Sequence, residues 1–177
     1  MDRNSLNRGF TLVELMAAMA VLGVVAALAS PPLGALLEAH AATAARHRLT
    51  TALALGRLAA VKLGHPVTVC PSRDGQHCRT DGVWESGWIV YADPDRQAAP
   101  VKADRVLEHD GRVGHGLSIR STPGRSRVRF SPDGWSAGHN LTIEVCTPRK
   151  GATHRIIVNN AGRPRTERLP RGQDCAP

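Results

Sequence analysis

Aromatic residues are scarce in this chain of 177 residues: Phe10, Trp84, Trp88, Tyr91, Phe130 and Trp135 are all there are. A core built on large rings must therefore be sought in the middle of the chain. Catalytic signatures are missing too. There is no Gly-rich nucleotide loop of the P-loop kind, no Gly-x-Ser-x-Gly elbow and no His-Glu-x-x-His, and the acids after Pro66 are dispersed without an evident pair. The expectation is a protein that is not an enzyme and needs no cofactor. No Cys-x-x-Cys occurs, which counts against a zinc site although His77 adjoins Cys78. The histidines show no ligand spacing, and Asp93-Pro94-Asp95 reads as a turn rather than a calcium site.

Charge is absent from one stretch and lopsided elsewhere. No residue from Leu15 to Ala29 is charged. The first 110 residues carry 11 Lys/Arg and 11 Asp/Glu, whereas residues 111–177 carry 12 against 4, so the whole net charge of +8 belongs to the last third. Concentrated positive charge attracts polyanions or anionic surfaces. The four cysteines, Cys70, Cys78, Cys146 and Cys175, form an even set behind an apolar N-terminal segment, the pattern of an exported protein with disulfides. Three pairings are open. Cys70 with Cys78 closes a short loop around Asp74, Gly75 and Gln76, and Cys146 with Cys175 would then tie the C-terminal tail to a strand.

Arg3 and Arg8 precede the apolar run, so the remainder should face outward from the cytoplasm. One reading is an ordinary signal peptide, cut at Ala27-Leu28-Ala29 before Ser30 to release a soluble domain. Glu14 argues otherwise. A carboxylate early in an apolar helix costs roughly 2.5–3.5 kcal/mol on insertion scales, which a disposable segment has no reason to bear. A subunit packed against its neighbours does have one, if the carboxylate pairs with the α-amine of an adjacent copy.

The apolar run ends at Ser30-Pro31-Pro32, where a kink or short melted stretch is expected. Helical periodicity then resumes through Leu33, Leu36, Leu37, His40, Ala44, His47, Thr51, Leu55 and Leu58, an apolar stripe needing a partner, until Gly64 and Pro66 stop it. After Pro66 the period becomes two. Strands are expected over 67–70, 87–91, 117–120, 128–130, 141–146 and 154–158, separated by turns such as Asp74-Gly75, Pro132-Asp133-Gly134 and Asn160-Ala161-Gly162. The fold class is thus α+β: a long N-terminal helix packed on a small antiparallel β-sandwich. Its parts are a leader over 1–9, a helix over 10–64 (transmembrane over 10–32, amphipathic over 33–64) and a globular β domain over 65–177.

Gly9-Phe10-Thr11-Leu12-Val13-Glu14 resembles the cleavage region of type IV prepilins. That likeness implies cutting after Gly9 by a prepilin peptidase, N-methylation of Phe10 and assembly with other pilins through Glu14. Beyond it, Cys70-Pro71-Ser72 with Asp74-Gly75 and Cys78, Trp84 with Gly87-Trp88-Ile89-Val90, Phe130-Ser131-Pro132-Asp133-Gly134 and Gly162-Arg163-Pro164-Arg165 are similar to the GspH/FimT group of minor pilins and pseudopilins. The resemblance implies a pilin-like fold, a single-pass inner-membrane precursor with its C-terminal domain in the periplasm, and final residence in a pilus. For FimT-like members it also implies DNA contact through Gly-Arg-x-Arg, in uptake of DNA for natural transformation.

The residues support such a site directly. In an extended segment Arg163 and Arg165 project to one side, and Pro164 confines them to a loop or sheet edge. Arg149, Lys150, Arg155, Arg168 and Arg171 lie near in sequence, and a guanidinium fork suits phosphate. If about four phosphates are neutralised, log affinity for duplex DNA should fall with log salt at a slope of roughly −3 to −4. With no aromatic after Trp135, base stacking is not expected, and backbone contact should carry little sequence preference. Arg125, Arg127 and Arg129 read instead as a solvated or acid-paired face. The alternative function is a structural or priming subunit of a pilus or type II secretion pseudopilus, without nucleic acid.

Overall fold

The computed structural model describes residues 10–111, 113, 116–170 and 173–175. The expected leader, Gly9 included, and Arg171 lie outside the described residues. A single long helix, α1, spans Leu12–Leu63 and has Pro31 and Pro32 within its bounds. Thr11 starts it: its Oγ1 accepts the Glu14 N–H at 3.2 Å, and Thr11-Leu12-Val13-Glu14 has the spacing of a capping box. Glu14 therefore also serves locally, as an acid in the first turn where the helix dipole is positive. At the other end Gly64 takes φ +68 and returns its N–H to the Ala60 carbonyl, the left-handed stop a glycine supplies.

The chain divides into two compact units, Met1–Leu37 and Glu38–Pro177. In the first, the apolar side chains stand in the open, with Phe10 87% exposed and Val13, Met16 and Met19 all above 60%. Among the described residues no helix is long and apolar enough to cross a membrane. The uncharged stretch runs from Leu15 to Leu37, with Ser30, Pro31 and Pro32 inside it.

In the second unit, α1 buries Ala42, Ala45, Leu49, Ala52, Leu53 and Ala60. This corrects the stripe read from sequence, whose members Ala44, His47, Thr51 and Leu58 are exposed. Side-chain size explains the inversion. A Cβ on Gly56 would come within 2.7 Å of Val69 Cγ2, so the helix approaches the sheets along alanines and Gly56, with Leu49 and Leu53 inside and Leu33, Leu36, Leu37 and Leu58 outside.

Eight strands follow: β1 (Val67–Pro71), β2 (Trp88–Ala92), β3 (Val106–Asp110), β4 (Ser118–Ser121), β5 (Val128–Phe130), β6 (Leu141–Thr147), β7 (Gly151–Val158) and β8 (Pro164–Arg168). They pair antiparallel into two four-stranded sheets, ordered β3-β2-β1-β5 and β4-β6-β7-β8. Inward residues of both sheets and of α1 form one core around Trp84, Trp88 and Phe130. Two strands have no counterpart in the sequence reading, β3 and β8. Both are edge strands, needing one neighbour's ladder and little apolar surface of their own.

The outer face of β1 and β2 holds a smaller cluster, Cys70, Ile89 and Tyr91, covered by Cys78 and Val106. The cysteines pair as Cys70–Cys78 and Cys146–Cys175. Burial, aided by the Asp93 charge, pushes the Tyr91 phenol up to about 12. A folded value raised above the unfolded one, ~10, means a contribution to stability that is complete below pH ~10 and lost as pH rises toward 12. Tyr91 is the one tyrosine of the chain, so phenolate absorbance reports it alone. The native protein should titrate near 12 and the urea-unfolded protein near 10; a native midpoint near 10 would contradict the burial of this ring.

Candidate nucleic-acid interface

The arginine motif runs into strand β8 at the free edge of its sheet: Arg163 directly precedes the strand, Pro164 stands opposite Val158 and Arg165 opposite Ile157. An edge is where a residue without an N–H belongs, and it is the placement expected from Pro164. Gly162 precedes it at φ +68 and is buried, and a Cβ there would run into the Gly134 carbonyl oxygen. Gly162 thus seats one turn on another. Ser136 completes that seat, its N–H donating to Asn160 O at 2.9 Å and its hydroxyl to Asn159 O at 2.7 Å.

The same clasp carries Trp135, 52% exposed, on the loop held against Gly162.

Register sorts the remaining basic residues. Arg120, Glu144, Arg155 and Glu167 stand opposite one another across the four strands, an alternating row of charge. Within it Arg155 donates to Glu144 Oε1 from Nε at 3.1 Å and Nη2 at 2.7 Å, and Arg120 pairs with Glu85. Arg149 pairs with Glu38 at 3.2 Å. Arg168, three residues after Arg165, falls on the opposite face of β8, the face of Thr166, whose hydroxyl accepts from Arg46 at 3.5 Å. Lys150 borders the same side. The patch read from sequence is thus divided. Arg165 meets Glu167 only at 3.7 Å and is 66% exposed, while Arg163 is exposed and makes no ion pair among the described residues.

A second arginine group is committed within the domain. Arg129 pairs with the buried Asp93 at 2.8 Å, and Arg127 and Arg125 donate to the carbonyls of Ala98 and Gly138. Burial, then the charges of Arg129, Arg127, Arg125 and Arg96, holds His139 below its ordinary pKa. The zinc reading loses its thiolates to the Cys70–Cys78 bond, and His77 instead lies 2.7 Å from Asp74. The Gln76 backbone N–H, with His77, holds the Asp74 carboxyl well below the usual carboxylate range. Among the described residues no group of three or more His, Cys, Asp or Glu is arranged to hold a metal ion.

An exposed apolar helical segment, followed by a helix sharing its core with two antiparallel sheets, defines a pilin-like subunit. The family model described as Type II transport protein GspH matches residues 45–162, and that of the prokaryotic N-terminal methylation motif matches residues 4–30. The chain belongs to the GspH family of minor pilins and pseudopilins. Its fold is similar to crystal structures of the type IV minor pilin FimU of Pseudomonas aeruginosa in two crystal forms. One matches with a TM-score of 0.55 at 20% identity, over 80% of this chain and 99% of that one. The other matches with a TM-score of 0.54 at 18% identity, over 76% and 99%. No curated protein sequence matches the chain.

Proposed function

We propose that this minor pilin captures extracellular DNA for uptake, gripping the phosphate backbone with Arg163 and Arg165. The observation carrying the reading is the contrast among the basic residues: these two arginines lie exposed on a free edge, while Arg149 and Arg155 are already matched by acids. The role is one of binding and assembly, without catalysis. The chain would be cut after Gly9 by a prepilin peptidase and methylated on Phe10. The exposed apolar segment would hold it in the inner membrane, with the β domain in the periplasm, until it joins other pilins.

With two phosphates neutralised rather than four, the log–log salt slope for duplex DNA should be roughly −2. Loss of two charge-assisted contacts in Arg163→Ala/Arg165→Ala should weaken binding at low salt by about ten- to a hundredfold. The test is a fluorescence titration of duplex DNA with the full chain in an uncharged detergent, at several salt concentrations. Equal binding by both proteins would move the site elsewhere. No binding by the wild type would favour a purely structural subunit of a pilus or type II secretion pseudopilus, for which the exposed Leu58 and Val61 on α1 offer assembly surface.

A further inference from the structure

The loop joining β5 to β6 seats Gly162 near its middle and meets a second group of cations before β6 begins. Arg96, Arg125, Arg127 and Arg129 all act on the half-buried His139, so four guanidinium charges surround one imidazole. Only one acid is paired among them. Asp93 is buried, and its carboxylate oxygens are taken by the Thr68 hydroxyl at 2.7 Å, the Gln97 N–H at 2.6 Å and Arg129 Nε at 2.8 Å. Asp95 is engaged by Arg105 at 2.7 Å. Among the described residues Arg96, Arg125 and Arg127 have no ion pair.

Hydrogen bonds to carbonyls fix a guanidinium without cancelling its charge. Arg125 donates to Gly138 O at 3.0 Å and Arg127 to Ala98 O at 2.9 Å, each from Nη1, which leaves other N–H groups of each fork for a ligand. Arg96 and Arg125 are exposed. Arg96 also holds φ +54, the one non-glycine residue at positive φ among the described residues. Glycine or asparagine would take that turn with less strain, so the turn itself does not account for an arginine there. An outlier of that kind points from strain toward function.

The two cationic groups share one support. The His139 N–H donates to Ser136 O at 2.8 Å, the Ser136 N–H donates to Asn160 O at 2.9 Å, and Arg163 follows Asn160 by three residues. Three residues on either side of that contact, at ~3.5 Å each when extended, keep His139 and Arg163 within ~30 Å of each other. One turn of duplex is ~34 Å long, so a single duplex reaches both groups.

We propose that Arg96 and Arg125, with the half-buried Arg127 adding charge, form a second phosphate-gripping locus on the duplex held by Arg163 and Arg165. The assignment rests on the DNA reading above and extends its footprint. Two further contacts bring the phosphates neutralised to about four, which steepens the log–log salt slope from roughly −2 to between about −3 and −4.

Fluorescence titration of a duplex of about two helical turns, roughly 20 bp, against the full chain in an uncharged detergent at several salt concentrations tests this. The wild type should show the steeper slope. Arg96→Asn/Arg125→Gln should bind about ten- to a hundredfold more weakly at low salt, with a slope back near roughly −2. Asparagine tolerates the left-handed turn and glutamine keeps a donor for Gly138 O, so the melting temperature should hold and a loss of binding is not a loss of fold. A wild-type slope near roughly −2, or undiminished binding by Arg96→Asn/Arg125→Gln while Arg163→Ala/Arg165→Ala loses it, would overturn the second locus and leave the edge. The reverse pattern would support the second locus and overturn the edge. No DNA binding by the wild type would overturn both, and make the arginine group a face for an acidic neighbour in the fibre.

Discussion

Replacing Cys146 and Cys175 together by alanine should lower the melting temperature by roughly 10 °C, from a loss of about 3.5 kcal/mol in a chain of this size. The bond spans a sequence separation of 29, and in the chain-entropy account most of its effect is to restrict the unfolded ensemble. It also has a local consequence. The tail it holds lies against β7, where Gln173 O accepts the Ala152 N–H at 2.9 Å, and a Cβ on Gly151 would meet that same carbonyl. Without the bond, about three residues of tail must order for one hydrogen bond, at roughly 1–2 kcal/mol each, which the bond's ~1 kcal/mol does not offset. Hydrogen exchange at Ala152 should therefore accelerate more than exchange in the core strands. A drop of less than roughly 3 °C, with Ala152 still protected, would show that the tail is held by something other than this disulfide.

The sequence was most legible where one signal had one physical meaning. Gly64 before Pro66 marked the helix end, alternation marked six strands, and Pro164 marked an edge. It misled where size mattered more than hydrophobicity. Leu33, Leu36, Leu37 and Leu58 on α1 looked like part of the buried stripe, yet Ala42, Ala45, Ala52 and Gly56 face the core beside Leu49 and Leu53, because close approach of helix to sheet rewards small residues. It was silent where structure depends on a partner strand. Pro-Arg-Thr-Glu-Arg has no strand character of its own and becomes β8 only through the ladder of β7. The candidate site shows the same division. Arg163 and Arg165 were readable as a pair, but which arginines have acids opposite them depends on register. The capping box at Thr11 and Glu14 is likewise local and needs no tertiary information.

The Ser136 clasp predicts how the DNA edge fails when its support is removed. Gly162→Val should cost about 3–4 kcal/mol and reduce DNA affinity to the level of Arg163→Ala/Arg165→Ala with both arginines still present. A β-branched side chain at φ +68 costs about 1–2 kcal/mol of backbone strain. Its Cβ also drives against the Gly134 carbonyl, so the turns must part and the two Ser136 hydrogen bonds go with them, at about 1 kcal/mol each. Gly124→Val separates these effects. Gly124 has a similar φ of +76 with open space around its Cβ position, so that variant should show the strain alone, about 1–2 kcal/mol, and bind DNA normally. Thermal melting and DNA titration of both variants give the comparison. Equal destabilisation would mean that the Gly134 contact yields without breaking the clasp. Normal DNA binding by Gly162→Val would mean that the arginines grip phosphate from a free strand end and need no preorganised turn.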